Sequence, residues 1–155
     1  MKIGGMIMID KLNIKGKVTT KLINKDTGKV DHEETINNVI LQNGAYHLMY
    51  ALTGKQSITA LTRVGVYKSD KTLIFADNGT WGDIVDTGTS LQCTLTYTDP
   101  TDASYTFRYL TITHPTSTLY ENSCFANDRG SEITKASNQI LTIQWTITIP
   151  YGSPP

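Results

Sequence analysis

The chain has 155 residues, 18% of them charged, with 14 basic against 14 acidic residues and a formal net charge of zero. That length suits one domain with a real core, and so balanced a field excludes non-specific binding to nucleic acid or an anionic membrane as its main work. Threonine is abundant and favours strands, which puts an all-β class first.

Residues 1–10, "MKIGGMIMID", read as an N-terminal arm: a lone Lys and a short apolar patch, Met6, Ile7, Met8 and Ile9, set off by Gly4 and Gly5. The patch is too short for a secretion signal, and nothing in the chain reaches the length of a membrane span. A soluble, unsecreted protein is expected, with one domain over residues 11–150 and a tail over residues 151–155. From Leu12 the pattern alternates. Leu12, Ile14, Val18 and Leu22 face one way, and Asn13, Lys15, Lys17, Thr19 and Lys21 the other. This is a strand with one wet face. "NKDTGK" supplies a hairpin turn, and "VDHEETINNVI" returns as a second strand.

Residues 37–54, "NNVILQNGAYHLMYALTG", break the alternation. Leu41, Ala45, Leu48, Met49 and Leu52 recur at the spacing of one helical stripe. Asn43 stands at the N-cap position and Gly54 at the left-handed C-terminal position, so a helix is predicted over Asn43–Leu52. The stripe is expected to cap an open end of the core.

"ITALTRVGVYKS" reads as the next strand, with Gly65 marking a bulge or a close backbone approach. The stretch from Asp77 to Ser90, with three glycines and three aspartates, reads as a long surface loop. In "LQCTLTY", Leu91, Cys93, Leu95 and Tyr97 point inward, and "YTFRYLTIT" pairs back after a turn. His114 to Asn127 reads as irregular, with "LYENSCFA" the one candidate for a short strand. In the closing "ILTIQWTITIP", Leu141, Ile143, Trp145, Ile147 and Ile149 take the core face, and Pro150 ends the strand. About seven short strands with one helix make an all-β, antiparallel β-sandwich or jelly-roll-like barrel.

Chemistry is sparse. His32, His47 and His114 have no metal-ligand spacing and no triad signature. Asp77, Asp83 and Asp86 share one loop but lack the alternating acceptors and closing Glu of a calcium loop. Cys93 and Cys124, the only cysteines, make neither a disulfide framework nor a metal motif. The phosphate-cradling, dinucleotide and nucleophile-elbow patterns are missing. No cofactor, metal or catalytic residue is therefore expected. Trp81, in the glycine-rich loop, is either tucked over the sandwich end or an interface anchor.

The order of these features resembles that of small virion proteins of tailed bacteriophages. An Asn-rich stretch leads through a Gly into a short helix ending in Leu-x-Gly. A strand with "VG" follows, then an "ITK" segment and a final "W-x-I" strand. The matching positions are Asn38, Gly44, Leu52, Gly54, Val64, Gly65, Ile133, Thr134, Lys135, Trp145 and Ile147. The resemblance implies a non-enzymatic virion structural protein with no catalytic residues to carry over. Its leading form is a capsid decoration (cement) protein that binds and stabilises the outer shell, and the alternative is a tail, baseplate or tail-fibre subunit. It further implies a homo-oligomer, with the trimer favoured, and the major capsid protein or other virion proteins as partners. Met6, Ile7, Met8, Ile9 and Trp81 are the interface candidates. A carbohydrate-binding module shares the sandwich and is the competing class; a hydrolase lacks any nucleophile–base pair to nominate.

Overall fold

The computed structural model describes residues 2–3, 6–7 and 13–154. In chain order the elements are β1 (Lys2–Ile3), β2 (Met6–Ile7), β3 (Lys15–Asn24), β4 (Val30–Asn37), β5 (Val39–Ile40), α1 (Gln42–Thr53), β6 (Arg63–Tyr67) and β7 (Leu73–Asn78). There follow β8 (Thr80–Trp81), β9 (Val85–Asp86), β10 (Ser90–Asp99), β11 (Tyr105–Ile112), β12 (Phe125–Lys135) and β13 (Gln139–Pro150).

Two antiparallel sheets face each other. One runs β4-β3-β13-β10-β8, with β9 also on β10; the other runs β5-β12-β11-β6-β7. Both sheets stay open at their edges, so the fold is a sandwich and not the jelly-roll-like barrel offered as its alternative. The 2.0 periodicity of each long strand sends every second residue inward. Val18, Leu22, Leu95, Leu141, Ile143 and Trp145 from one sheet meet Val64, Val66, Phe107, Leu110 and Ile112 from the other, all essentially without solvent contact.

The chain changes sheet through single residues at two places. Asn38 alone separates β4 from β5, and Gly79 alone separates β7 from β8. Each crossing is held from several sides. The Asn38 amide N–H donates to the Gly16 carbonyl (3.0 Å), and its side-chain oxygen accepts from the Trp145 indole (3.1 Å). Asn127, itself buried, reaches across from the other sheet to the Asn37 carbonyl (3.2 Å). At Gly79 a Cβ would lie 2.8 Å from the Thr96 carbonyl oxygen, so the crossing passes only where no side chain stands.

Several sequence expectations change here. The predicted loop from Asp77 to Ser90 is partly strand: Thr80 and Trp81 pair with Thr96 and Leu95, and Val85 and Asp86 with Gln92 and Leu91. The tail is anchored where it leaves β13, its Tyr151 hydroxyl donating to Asp86 (2.6 Å). Gly65 is a close approach, since a Cβ there would lie 2.6 Å from the Thr111 hydroxyl. Along β13 the first three predicted core residues are buried, but Ile147 is half-covered and Ile149 is 37% exposed. Its partner Leu91 is likewise exposed, at 42%. Both strands overrun the core at this end.

At the opposite end a polar network closes the β10–β11 turn. Lys135, fully buried, donates to the Thr101 and Ala103 carbonyls (both 2.8 Å), while the Tyr105 hydroxyl donates to Asp99 (2.6 Å). Beside it, burial and the charges of Asp99 and Asp77 push the Tyr97 phenol up to about 12. An unfolded tyrosine ionises near pH 10, so above that the unfolded chain releases a proton that the folded chain keeps. Stability from Tyr97 is complete below about pH 10 and declines as pH rises towards 12. Urea midpoints should fall over this interval and fall less in Tyr97→Phe; identical alkaline losses in both proteins would contradict the assignment.

Candidate functional site

Helix α1 forms as its apolar spacing predicts and extends one residue further at each end, over Gln42–Thr53. It ends as expected: Gly54 is left-handed (φ 64°) and its N–H donates to the Tyr50 carbonyl (2.9 Å). Its start differs. The N-cap is Leu41, which has no capping side chain, and Asn43 instead donates through its side chain to the Asn122 carbonyl (2.9 Å).

The docking face also differs. Gly44 is the only buried residue of the helix, and a Cβ there would lie 2.2 Å from the Cys124 carbonyl oxygen. The Leu41 N–H donates to that same carbonyl (2.9 Å). The helix therefore rests on the residue just before β12 by backbone contact, and this turns its predicted stripe away from the core. Leu41 and Leu48 are half-buried, Ala45 is exposed, and Met49 and Leu52 are 56% and 81% exposed. The expectation that Leu41, Ala45, Leu48, Met49 and Leu52 cap the core is thus corrected. Leu41 and Leu48 are only partly covered, and Ala45, Met49 and Leu52 face outward.

What the stripe builds is an apolar end face. Between α1 and the end of β13 lies a groove of about 620 Å³, lined by Ile14, Ile40, Leu48, Met49, Leu52 and Ile149 among others. Leu48 and Ile149 also line a second hollow of about 380 Å³, whose walls include Leu61, Trp81, Ile84, Leu91 and Cys93. The two hollows thus form one surface, carrying Ile84 at 71% exposure as well as Leu91 and Met49. Among the described residues, neither lining includes Asp, Glu, Lys or Arg, and His47 stands in the second. Contiguous apolar surface of this kind is characteristic of surfaces that bind other molecules.

Trp81 belongs to this face as a fixed wall. Its indole donates to the Leu61 carbonyl (2.7 Å), and its ring packs half-buried against the core. Met8 and Ile9, and the side chains of Met6 and Ile7, lie outside the described residues. The backbone of Met6–Ile7 pairs antiparallel with Lys2–Ile3.

The opposite flank of α1 is polar. Tyr46 and Tyr50 stack there (5.8 Å between centroids, 22° between planes) beside His47, His114 and Pro115. The two histidines are 67 positions apart in sequence, and no spacing signal joins them. Burial and the neighbouring His114 hold the His47 imidazole below its usual range. Among the described residues, no carboxylate lines this cleft. Among the described residues, no group of three or more His, Cys, Asp or Glu stands where it could hold a metal ion. Both cysteines are free, and burial pushes the Cys124 thiol up to about 11. Asp86 spends one carboxylate oxygen on the Gly88 N–H and the Tyr151 hydroxyl. No helix among the described residues is long and apolar enough to cross a membrane.

Comparison with known proteins adds no identity: no family model matches the chain, and no curated protein or solved structure matches it significantly.

The docking geometry separates two substitutions on one helix. Gly44→Val drives a side chain into a backbone carbonyl and should lower the unfolding free energy by about 1–3 kcal/mol, the range for overpacking. Leu52→Glu should leave it within about 0.5 kcal/mol, as for an exposed site. Urea unfolding measures both, and a larger loss for Leu52→Glu would restore the capping role.

Proposed function

We propose that this chain is a non-enzymatic structural subunit of a tailed-phage virion, acting as a decoration protein that binds the outer shell through its apolar end face. The observation that carries the reading is that face. A neutral, threonine-rich domain presents uncharged hydrophobic surface on α1 and on the overrunning ends of β10 and β13. Such a surface binds by exclusion of water and shape, which suits permanent assembly better than turnover. The likeness in motif order to small virion proteins supplies the setting, and with it the shell protein as partner and a homotrimer as the working state. Zero net charge leaves little repulsion between copies, and closed rotational symmetry is the common outcome for identical subunits. A sugar-binding role for Trp81 is disfavoured because its indole N–H is already engaged and its ring is half-buried.

The test is co-sedimentation with undecorated capsids and, separately, with isolated tails. Wild-type protein should saturate capsids, and Met49→Glu/Leu52→Glu should bind about tenfold or more weakly, as expected for charges placed in the apolar centre of an interface. Binding to tails alone would move the protein to the tail. Equal binding by the variant, or binding to neither particle, would overturn the reading.

A further inference from the structure

We infer that the cleft on the polar flank of α1 is a binding site for a neutral oligosaccharide, seated on the Tyr46–Tyr50 pair. Of its lining, only His47 also borders the apolar end face, and the inference does not rest on the proposed assembly role.

Three features of the cleft carry it. The first is its build. Asn43, Tyr46, His47 and Tyr50 stand at the spacing of one helical stripe, a polar one beside the apolar one. Gly54 ends the helix, residues 56–59 then supply a second wall, and His114 to Thr116 supply the third. The hollow between these three segments measures about 480 Å³, a size ordinary for small-molecule clefts.

The second feature is charge. Among the described residues the lining holds no Asp, Glu, Lys or Arg, and burial beside His114 disfavours the charged form of His47. No fixed charge stands here to pair with a phosphate, a carboxylate or an ammonium group. The ligand that fits is uncharged.

The third feature is a supply of hydrogen-bonding groups around an aromatic wall. The Tyr46 and Tyr50 rings lie nearly parallel, and Tyr46 is 51% exposed. Such a ring accepts the C–H face of a pyranose, with its phenol free at the edge. The Asn43 side-chain nitrogen is held by the Asn122 carbonyl, which fixes the group and leaves its oxygen as an acceptor. The Thr116 amide N–H donates to His114 Nδ1 (3.2 Å), so the neutral ring carries its proton on Nε2 and remains a donor. Gln56, Ser57 and Thr59 add an amide and two hydroxyls. Donors and acceptors set side by side suit sugar hydroxyls, each of which is both. A nucleobase offers fewer such groups, and only in its own plane.

A glycan array of neutral and acidic oligosaccharides, read with labelled protein, tests this, with adenosine titrated separately by saturation-transfer NMR. Wild-type protein should bind neutral glycans, and Tyr46→Ala should bind them about tenfold or more weakly, as for loss of one stacking ring. Gln56→Ala, at an exposed position, should weaken binding without altering the urea midpoint. Met49→Glu/Leu52→Glu should bind glycans as wild type does. The inference is overturned if no neutral glycan binds, if acidic glycans or adenosine are preferred, or if Tyr46→Ala and Gln56→Ala both bind like wild type. Capsid binding without glycan binding would remove this inference alone, and glycan binding without capsid binding would remove only the proposed function.

Discussion

Helix α1 meets the sandwich backbone to backbone: at Gly44 no side chain intervenes, and the Cys124 carbonyl lies where a Cβ would be. That contact determines which way the helix is rotated. With Gly44 inward and the Leu41 N–H donating to the same carbonyl, the residues one and two turns on, Leu48, Met49 and Leu52, are directed to the rim and beyond. A glycine in a helix interior is destabilising by about 1 kcal/mol relative to alanine. Here the loss accompanies a close approach that no other residue allows, and the stripe that normally buries a helix becomes the surface it presents.

The sheets complete that surface. Leu91 and Ile149 are register partners on β10 and β13, and both strands run past the end of the core, so the pair emerges into solvent beside the helix. The position of this overrun is set at the crossings. Asn38 ties the first sheet change to both Gly16 and Trp145, and Gly79 lets the second pass flush against Thr96. Because strand register has a period of two, a slip of one residue at either crossing would turn whole core faces outward. The strand register that fixes the core therefore also fixes where Leu91 and Ile149 emerge.

Much of this was legible in the residues. Alternation in Lys15–Asn24, Ser90–Asp99 and Gln139–Pro150 marks the three central strands of one sheet, and Gly54 marks the helix end. What escaped was decided by partners distant in sequence. β12 shows no apolar alternation, because its buried Asn127, Arg129 and Lys135 are satisfied by groups from elsewhere: the Asn37 carbonyl, the Glu34 carboxylate, and the Thr101 and Ala103 carbonyls. β7 is a short apolar run of the kind that periodicity cannot assign. The helix was found, but a moment of hydrophobicity says only that a stripe exists and not that the stripe is covered. Which face docks was written in Gly44, whose meaning depends on Cys124, 80 positions later. The His47–His114 cleft is of the same kind, a meeting made by the fold alone.

A neutral domain with an outward apolar helix face is under pressure to cover it, and the account holds that other protein does so. Met49 reports on this most directly, since its thioether is oxidised by peroxide in proportion to its exposure. Peptide mapping of the dilute monomer, and of the protein after mixing with capsids as the proposed function requires, gives the two rates. The account predicts that Met49 oxidises nearly as fast as a free methionine in the monomer and is strongly protected in the assembly. Protection already complete in the monomer would mean that the stripe is covered within the chain itself, and would contradict the account.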